Sequence, residues 1–315
     1  MNKATLQMVL EPVVDGDVAP CPPPVVVLHP VRGILLFGGG VLVLACMDTT
    51  TKYLAATYDV PLIVGVRYVV NLLLMVAILA PTQRARLLQT KRTGLVIVRG
   101  ACLALASIFM GFAFQRMPVA ESTSIVFLAP SIVLLLARPA LGERIGALGW
   151  LAAVAGFGGV VLVAHPGSGL EPLGIACAGG AALVTAVYQL LSRVLASTER
   201  TMALLFYTAL VGAIAFGLAA PWFWDGRVPH PIDLLLFLSL GVYSGVGHYL
   251  FTAAHRFAPA STLAPIGYVQ VVWAGLLGWL VFGHVPAVLS IVGMVIIIAS
   301  GALTALKPPL QRKDH

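Results

Sequence analysis

Only 10% of the 315 residues are charged and 59% are apolar, far below the roughly 25% charge of an ordinary globular domain, which excludes a water-soluble protein. The net charge of +7 is large enough to raise nucleic acid as a partner. The basic residues instead gather on one side of a series of apolar blocks, the pattern of an oriented membrane protein, so no nucleic-acid partner is expected.

Residues 1 to 30 hold six prolines and three acids with no apolar run behind a basic start, so they read as a disordered cytoplasmic tail and not as a signal peptide. Ten apolar blocks follow, each close to the twenty or so residues that a helix needs to cross a bilayer. They fall at 31–53, 61–80, 94–115, 119–137, 146–164, 173–193, 202–221, 233–256, 261–282 and 286–305, ahead of a short tail at 307–315. Continuous runs such as "IVLLLA" and "GMVIIIA" lack the alternation of a membrane barrel strand, so the spans are predicted to be helices. With a cytoplasmic N-terminus, fourteen of the nineteen Lys and Arg lie inside, and only Lys52, Arg116 and Arg227 lie outside. An even number of spans then returns the C-terminus to the cytoplasm.

Displacing the chain against itself by 140 residues aligns Gly39-Gly40 with Gly179-Gly180, Ala80-Pro81 with Ala220-Pro221, Arg116 with Arg256 and Ala120 with Ala260. Each copy carries five helices, so the second copy enters the membrane inverted. Inverted repeats build secondary transporters that exchange inward-open and outward-open shapes around a midplane site. The predicted fold class is therefore an all-α membrane protein of ten transmembrane helices, with repeats at 31–165 and 171–306.

Polar residues inside these blocks are the candidate site, because an ionisable group in hydrocarbon needs a partner, water or a function. Asp48 lies about 24 Å along the first helix, with Lys52 one turn further on the same face, where the two can neutralise each other. Arg67 on the second helix falls near the level of Asp48, and Asn71 extends its face inward by a turn. Two readings stay open: an interfacial ion pair that fixes the first helix, or a vestibule whose charges change partners. Arg99, five residues into the third helix, is expected to snorkel to the headgroups. Glu143 and Arg144 are expected at the start of the fifth helix, where an acid suits the positive helix end.

His248 lies about 22 Å along the eighth helix, too deep to reach water from either end. It suits proton coupling or cargo recognition, with a hydrogen-bonded packing histidine as the alternative. Tyr188 and Gln189 match Asp48 and Thr49 in the repeat, while Tyr268, Gln270 and Trp273 add hydrogen-bonding and aromatic surface from the ninth helix. Pro130 and Pro265 are expected to kink their helices. Cys46, Cys102 and Cys177 stand singly in spans, so no metal site is expected, and nothing implies a cofactor.

The stretch "RMPVAESTSIVFLAP" at 116–130, followed by "LGERIGALGWLAAVAGFGGVVLV" at 141–163, resembles the ten-helix EamA-domain family of the drug/metabolite transporter superfamily. The family features are Arg67, Ala113 with Pro118-Val119-Ala120, Pro130, and Leu141-Gly142-Glu143. The second copy departs from them, placing His284 where a glutamate is usual. The resemblance implies an inner-membrane carrier of small metabolites, a cavity made by the first four helices of each repeat, and fifth and tenth helices at the periphery or at a homodimer contact. Cargoes across the family include amino acids, riboflavin, S-adenosylmethionine, nucleotide sugars and drugs. The "MDxxxK" pattern closing the first helix is similar to the riboflavin and S-adenosylmethionine branch, against which an amino-acid or drug exporter stands as the alternative.

Two other functions compete. Ser244 and His248, four apart on one helix, offer the nucleophile and base of an intramembrane enzyme, but "GVYSGVGH" lacks a rhomboid-type motif and no HExxH occurs. A non-transporting scaffold is disfavoured by loops too short to hold a soluble module. No GxxxxGK[ST] is present for ATP drive, so the expectation is a non-enzymatic carrier with a small-molecule substrate, set in the lipid bilayer and driven by exchange or by protons.

Overall fold

The computed structural model describes residues 30–83, 88–141, 147–165, 169–195, 198–226, 228–254, 257, 263 and 266–305. Pro265, Glu143 and Arg144 lie outside these residues, as do both tails apart from Pro30. Within them every regular element is helical, as the absence of water in the bilayer demands of an open chain that must satisfy its own backbone.

Helices α1 (Pro30–Ala55), α2 (Val60–Gln83) and α3 (Thr93–Arg116) are long and apolar, and α4 follows in two pieces, Val119–Val126 and Ala129–Leu141. Helix α5 (Ala147–Val163) ends the first repeat. The second contains α6 (Pro172–Leu195), α7 (Thr201–Gly212), α8 (Pro231–Ala254), α9 (Val269–Phe282) and α10 (Val288–Ala305). Five of these helices, α1, α2, α3, α6 and α8, are long and apolar enough to cross a membrane. The other five spans hold shorter apolar helices, and two of them owe this to a local change of winding. Helix α7 runs on through a π-helical turn at Ala213–Gly217 and a 3-10 turn at Ala220–Phe223.

Helix α4 is interrupted where a proline kink was expected. Phe127 and Leu128 form a tight turn, with the Leu128 N–H bonded to the Ile125 carbonyl at 3.1 Å. Pro130 is then the second residue of a fresh helix, a position where a missing N–H costs nothing. The helix is thus interrupted in the turn that precedes Pro130.

Helix packing follows an exchange rule. Helix α1 packs on α8 as α6 packs on α3, and α1 meets α9 as α6 meets α4. Helix α2 meets α8 as α7 meets α3, while α2 with α7 and α5 with α10 pair across the two copies. Each helix thus touches the counterpart of its counterpart's neighbour, which is what two interlocked repeats require.

Small residues set the closest crossings. A Cβ on Gly65 would lie 2.6 Å from the Phe216 carbonyl oxygen, so α2 can approach the π turn of α7 only with glycine there. A Cβ on Gly159 would meet the Gly293 carbonyl at 2.8 Å, which brings α5 and α10 into backbone contact. Those two helices lie against each other within one chain, with Leu151, Val154 and Val161 of α5 and Val295 of α10 exposed on the outside.

Candidate functional site

Between the repeats lies a cavity of about 570 Å³. Its walls come from the middle of α1 (Leu44, Met47), α2 from Arg67 to Ile78, the middle of α3 (Leu103, Ser107), Tyr188 of α6, the start of α7, α8 and Gln270 of α9. The glycines of α8 explain its position. Gly241 has no room for a side chain against Val70, and a Cβ on Gly245 would lie 3.0 Å from the Asn71 Oδ1, so α2 and α8 are nearly in backbone contact at that level. Beyond it the walls are formed by Leu74, Met75 and Ile78 on one helix and by Val246, His248 and Tyr249 on the other. Ile78 and Tyr249 are themselves exposed, so the cavity reaches the surface at the end where α2 finishes and α7 begins.

The opposite end is pinned by side chains. Lys52 donates from Nζ to the carbonyls of Phe114 and Met117, both at 2.8 Å, at the C-terminal end of α3. A cation suits the unpaired carbonyls of a helix end, and this draws Lys52 away from Asp48. The expected Asp48–Lys52 pair is therefore not formed: Asp48 accepts a hydrogen bond from Gln270 Nε2 at 2.9 Å. Tyr58 donates to Asp233 Oδ2 at 2.8 Å, joining the loop after α1 to the start of α8. Gly283, at φ 67°, closes α9 with its N–H bonded to the Trp279 carbonyl at 2.9 Å. The next residue, His284, thereby reaches the buried Glu121 of α4, with Nε2 3.0 Å from Oε1. Half-buried Arg116 and exposed Glu171 add an ion pair at 3.3 Å.

Of the residues singled out from sequence, Arg67, Asn71, Tyr188, His248 and Gln270 line the cavity. Asp48 lies one hydrogen bond behind Gln270, itself buried. Lys52 belongs to the pinned end. Tyr268 is buried against Phe127, with ring centroids 5.2 Å apart. Trp273 packs on the apolar cluster of Phe37, Val41, Ala254 and Leu263. Gln189 is half-buried on α6, outside the cavity wall.

One polar group behaves differently from its expectation in the sequence, and a second was not singled out there. Arg99 does not snorkel: it is 5% exposed and donates to Ser192 Oγ (2.7 Å), Tyr188 Oη (2.7 Å), Thr208 Oγ1 (3.0 Å) and the Leu204 carbonyl (3.2 Å). Its Cζ also lies 4.4 Å from the centre of the Tyr188 ring. It joins α3 to α6 and α7 and holds Tyr188 at the cavity wall. The signal available was on its partners, since Tyr188 and Ser192 sit four apart on one helix face. Glu121 is the other, paired with the histidine that replaces a family glutamate.

Ser244 and His248 both line the cavity, but among the described residues no hydrogen bond joins them. Nor do three or more His, Cys, Asp or Glu side chains gather among the described residues to hold a metal ion.

These features define a helical membrane carrier: two interlocked repeats around a largely apolar cavity with a few polar groups on its wall, reaching one end of the bundle. The chain belongs to the EamA-like transporter family, whose model matches residues 31–164 and again 172–306, and it is a transporter, not an enzyme. It is 30% identical over 203 residues to a riboflavin transporter of Rhizobium johnstonii, an alignment spanning 62% of this chain and 64% of that one. It is 28% identical over 275 residues to the pseudopaline exporter CntI of Pseudomonas aeruginosa, covering 85% of this chain and 94% of the exporter. An S-adenosylmethionine uptake transporter of Rickettsia bellii is 28% identical over 214 residues, or 67% of this chain and 72% of that one. A solved structure, described as "Crystal structure of protein", matches with a TM-score of 0.60 over 89% of this chain and 96% of its own at 20% identity, a likeness of fold alone.

Proposed function

We propose that this chain is a secondary transporter that carries a small metabolite across the inner (plasma) membrane by alternating access, with both termini in the cytoplasm. The observation that carries the reading is the one-ended cavity, built from both repeats and backed at its far end by Lys52, Tyr58–Asp233 and Glu121–His284. Exchange of the two ends between repeats that pair their helices alike would open the far side and close the near one. The charge distribution supports a cytoplasmic near side. Energy comes from exchange or from a proton gradient, with His248 at the cavity wall and Asp48 behind Gln270 as the groups that could carry the proton.

The mechanism is tested without knowing the cargo. In a cysteine-free background, Ser244→Cys is exposed to a membrane-impermeant maleimide in inside-out and in right-side-out vesicles. Alternating access predicts rapid labelling from the cytoplasmic face and slower labelling from the outer face, the latter abolished by an oxidised Tyr58→Cys/Asp233→Cys pair. Labelling from one face only, whatever the state of that pair, would reject the mechanism. Proton coupling is tested separately in proteoliposomes given riboflavin, S-adenosylmethionine and amino acids. Uptake that ignores an imposed pH gradient rules it out.

A further inference from the structure

The cations of this bundle differ in how they are satisfied. Lys52 has two carbonyls, Arg116 has a carboxylate, and Arg99 has four neutral acceptors. Arg67 has none of these. It is 7% exposed, its Nε is buried without a hydrogen-bond partner, and among the described residues its hydrogen bonding is limited to the weak Met47 sulfur at 3.9 Å from Nη1. The Tyr68 ring, 4.9 Å from Cζ, offers only a π face.

The nearby carboxylate attracts it without bonding it. Asp48 is occupied by Gln270 and makes no ion pair with Arg67 among the described residues. The charged groups on or directly behind the cavity wall are thus two guanidiniums, Arg67 and Arg99, against one carboxylate, Asp48. One turn along α2 from Arg67, the Asn71 Oδ1 is also buried without a partner, beside the bare Cα of Gly245. An unpaired guanidinium and an unpaired amide oxygen side by side in a low-dielectric site destabilise the empty protein unless something fills both. A guanidinium is satisfied best by a carboxylate or phosphate that accepts two parallel N–H bonds, and an amide oxygen by an N–H or O–H donor.

We propose that Arg67 and Asn71 form the recognition subsite for the anionic end, carboxylate or phosphate, of a small organic cargo that also offers a hydrogen-bond donor near that end. Leu44, Met47, Leu74, Leu103 and Leu205 hold its apolar body. The assignment rests on the transporter reading for the word cargo, and on the unpaired groups alone for the chemistry.

The test is thermal unfolding of the purified full chain with 3-phenylpropionate, its neutral amide and phenyl phosphate. The expected result is that at least one anion raises Tm while the amide does not. Arg67→Lys weakens the apparent affinity about tenfold and Arg67→Gln abolishes the shift. A response to the propionate alone assigns a carboxylate, and to the phosphate alone a phosphate. Without any ligand, Arg67→Met raises Tm by about 2–4 °C, since an unpaired buried charge is removed. The proposal is overturned if the amide equals the anions, if the shift survives Arg67→Gln, if no anion shifts Tm, or if Arg67→Met lowers Tm. Two-sided Ser244→Cys labelling with no anion effect would sink this subsite and leave the transporter standing. One-sided labelling with an Arg67-dependent shift would do the reverse.

Discussion

The two repeats pair their helices in the same pattern and occupy matching positions with different chemistry. Asp48 of α1 reaches into the other copy to accept from Gln270 of α9, and its counterpart Tyr188 of α6 reaches into the other copy to meet Arg99 of α3. Arg67 faces the cavity, yet the residue 140 positions later, Tyr207, donates to the Leu88 carbonyl at 3.1 Å, near the surface. Backbone pairing is repeated although the small residues that permit it recur only in part: Gly40 has Gly180 as its counterpart, but Gly65 has Leu205 and Gly245 has Leu105. Cavity chemistry is not repeated, because a cargo needs recognition once, and a second copy of each charge would add a buried ion without a partner.

The largest effect should separate the two buried arginines. Arg99→Ala removes four hydrogen bonds and leaves Tyr188, Ser192 and Thr208 short of a donor, so unfolding in detergent should show a loss of about 3 kcal/mol. Arg67 substitutions should leave folded yield intact while transport fails. An equal loss of stability from both would erase the distinction between a structural and a ligand-facing guanidinium. Next comes the pinned end: His284→Phe leaves the buried carboxylate of Glu121 without its partner and should cost about 2 kcal/mol. It should also raise labelling of Ser244→Cys from the outer face, and unchanged labelling would show that this contact does not hold that end shut.

A smaller change is expected at Lys52. Lys52→Met keeps the stem but loses the two carbonyl contacts of α3, about 1 kcal/mol by thermal unfolding. The smallest structural effect belongs to Asp48→Asn, whose oxygen can still accept from Gln270, so stability should move by less than about 0.5 kcal/mol. If the carboxylate serves transport, uptake in proteoliposomes nevertheless falls, and unchanged uptake would reduce Asp48 to a partner for Gln270.

Helix count and repeat were legible in the chain for a physical reason. Hydrocarbon leaves an unpaired backbone no alternative to helix, so apolar length alone marks each span. The two places where this simple reading slipped are local. Helix α4 restarts at Ala129 because Pro130 is better tolerated in a first turn than in an interior. Helix α7 changes winding at Ala213–Gly217, where it lies against Gly65 of α2.

By itself, the order of residues determined that ten apolar helices cross the membrane as two inverted repeats, and it gave the height of each polar side chain along its own helix. It could not determine partners, because the face and level of a residue on one helix say nothing of which neighbour stands opposite. Only tertiary packing sent Lys52 to the end of α3, buried Arg99 among α6 and α7, set Trp273 against an apolar cluster and left Arg67 facing an open cavity. Those outcomes follow from which helix ends and hydroxyls the fold brought within reach, and a buried charge goes wherever its hydrogen bonds can be met.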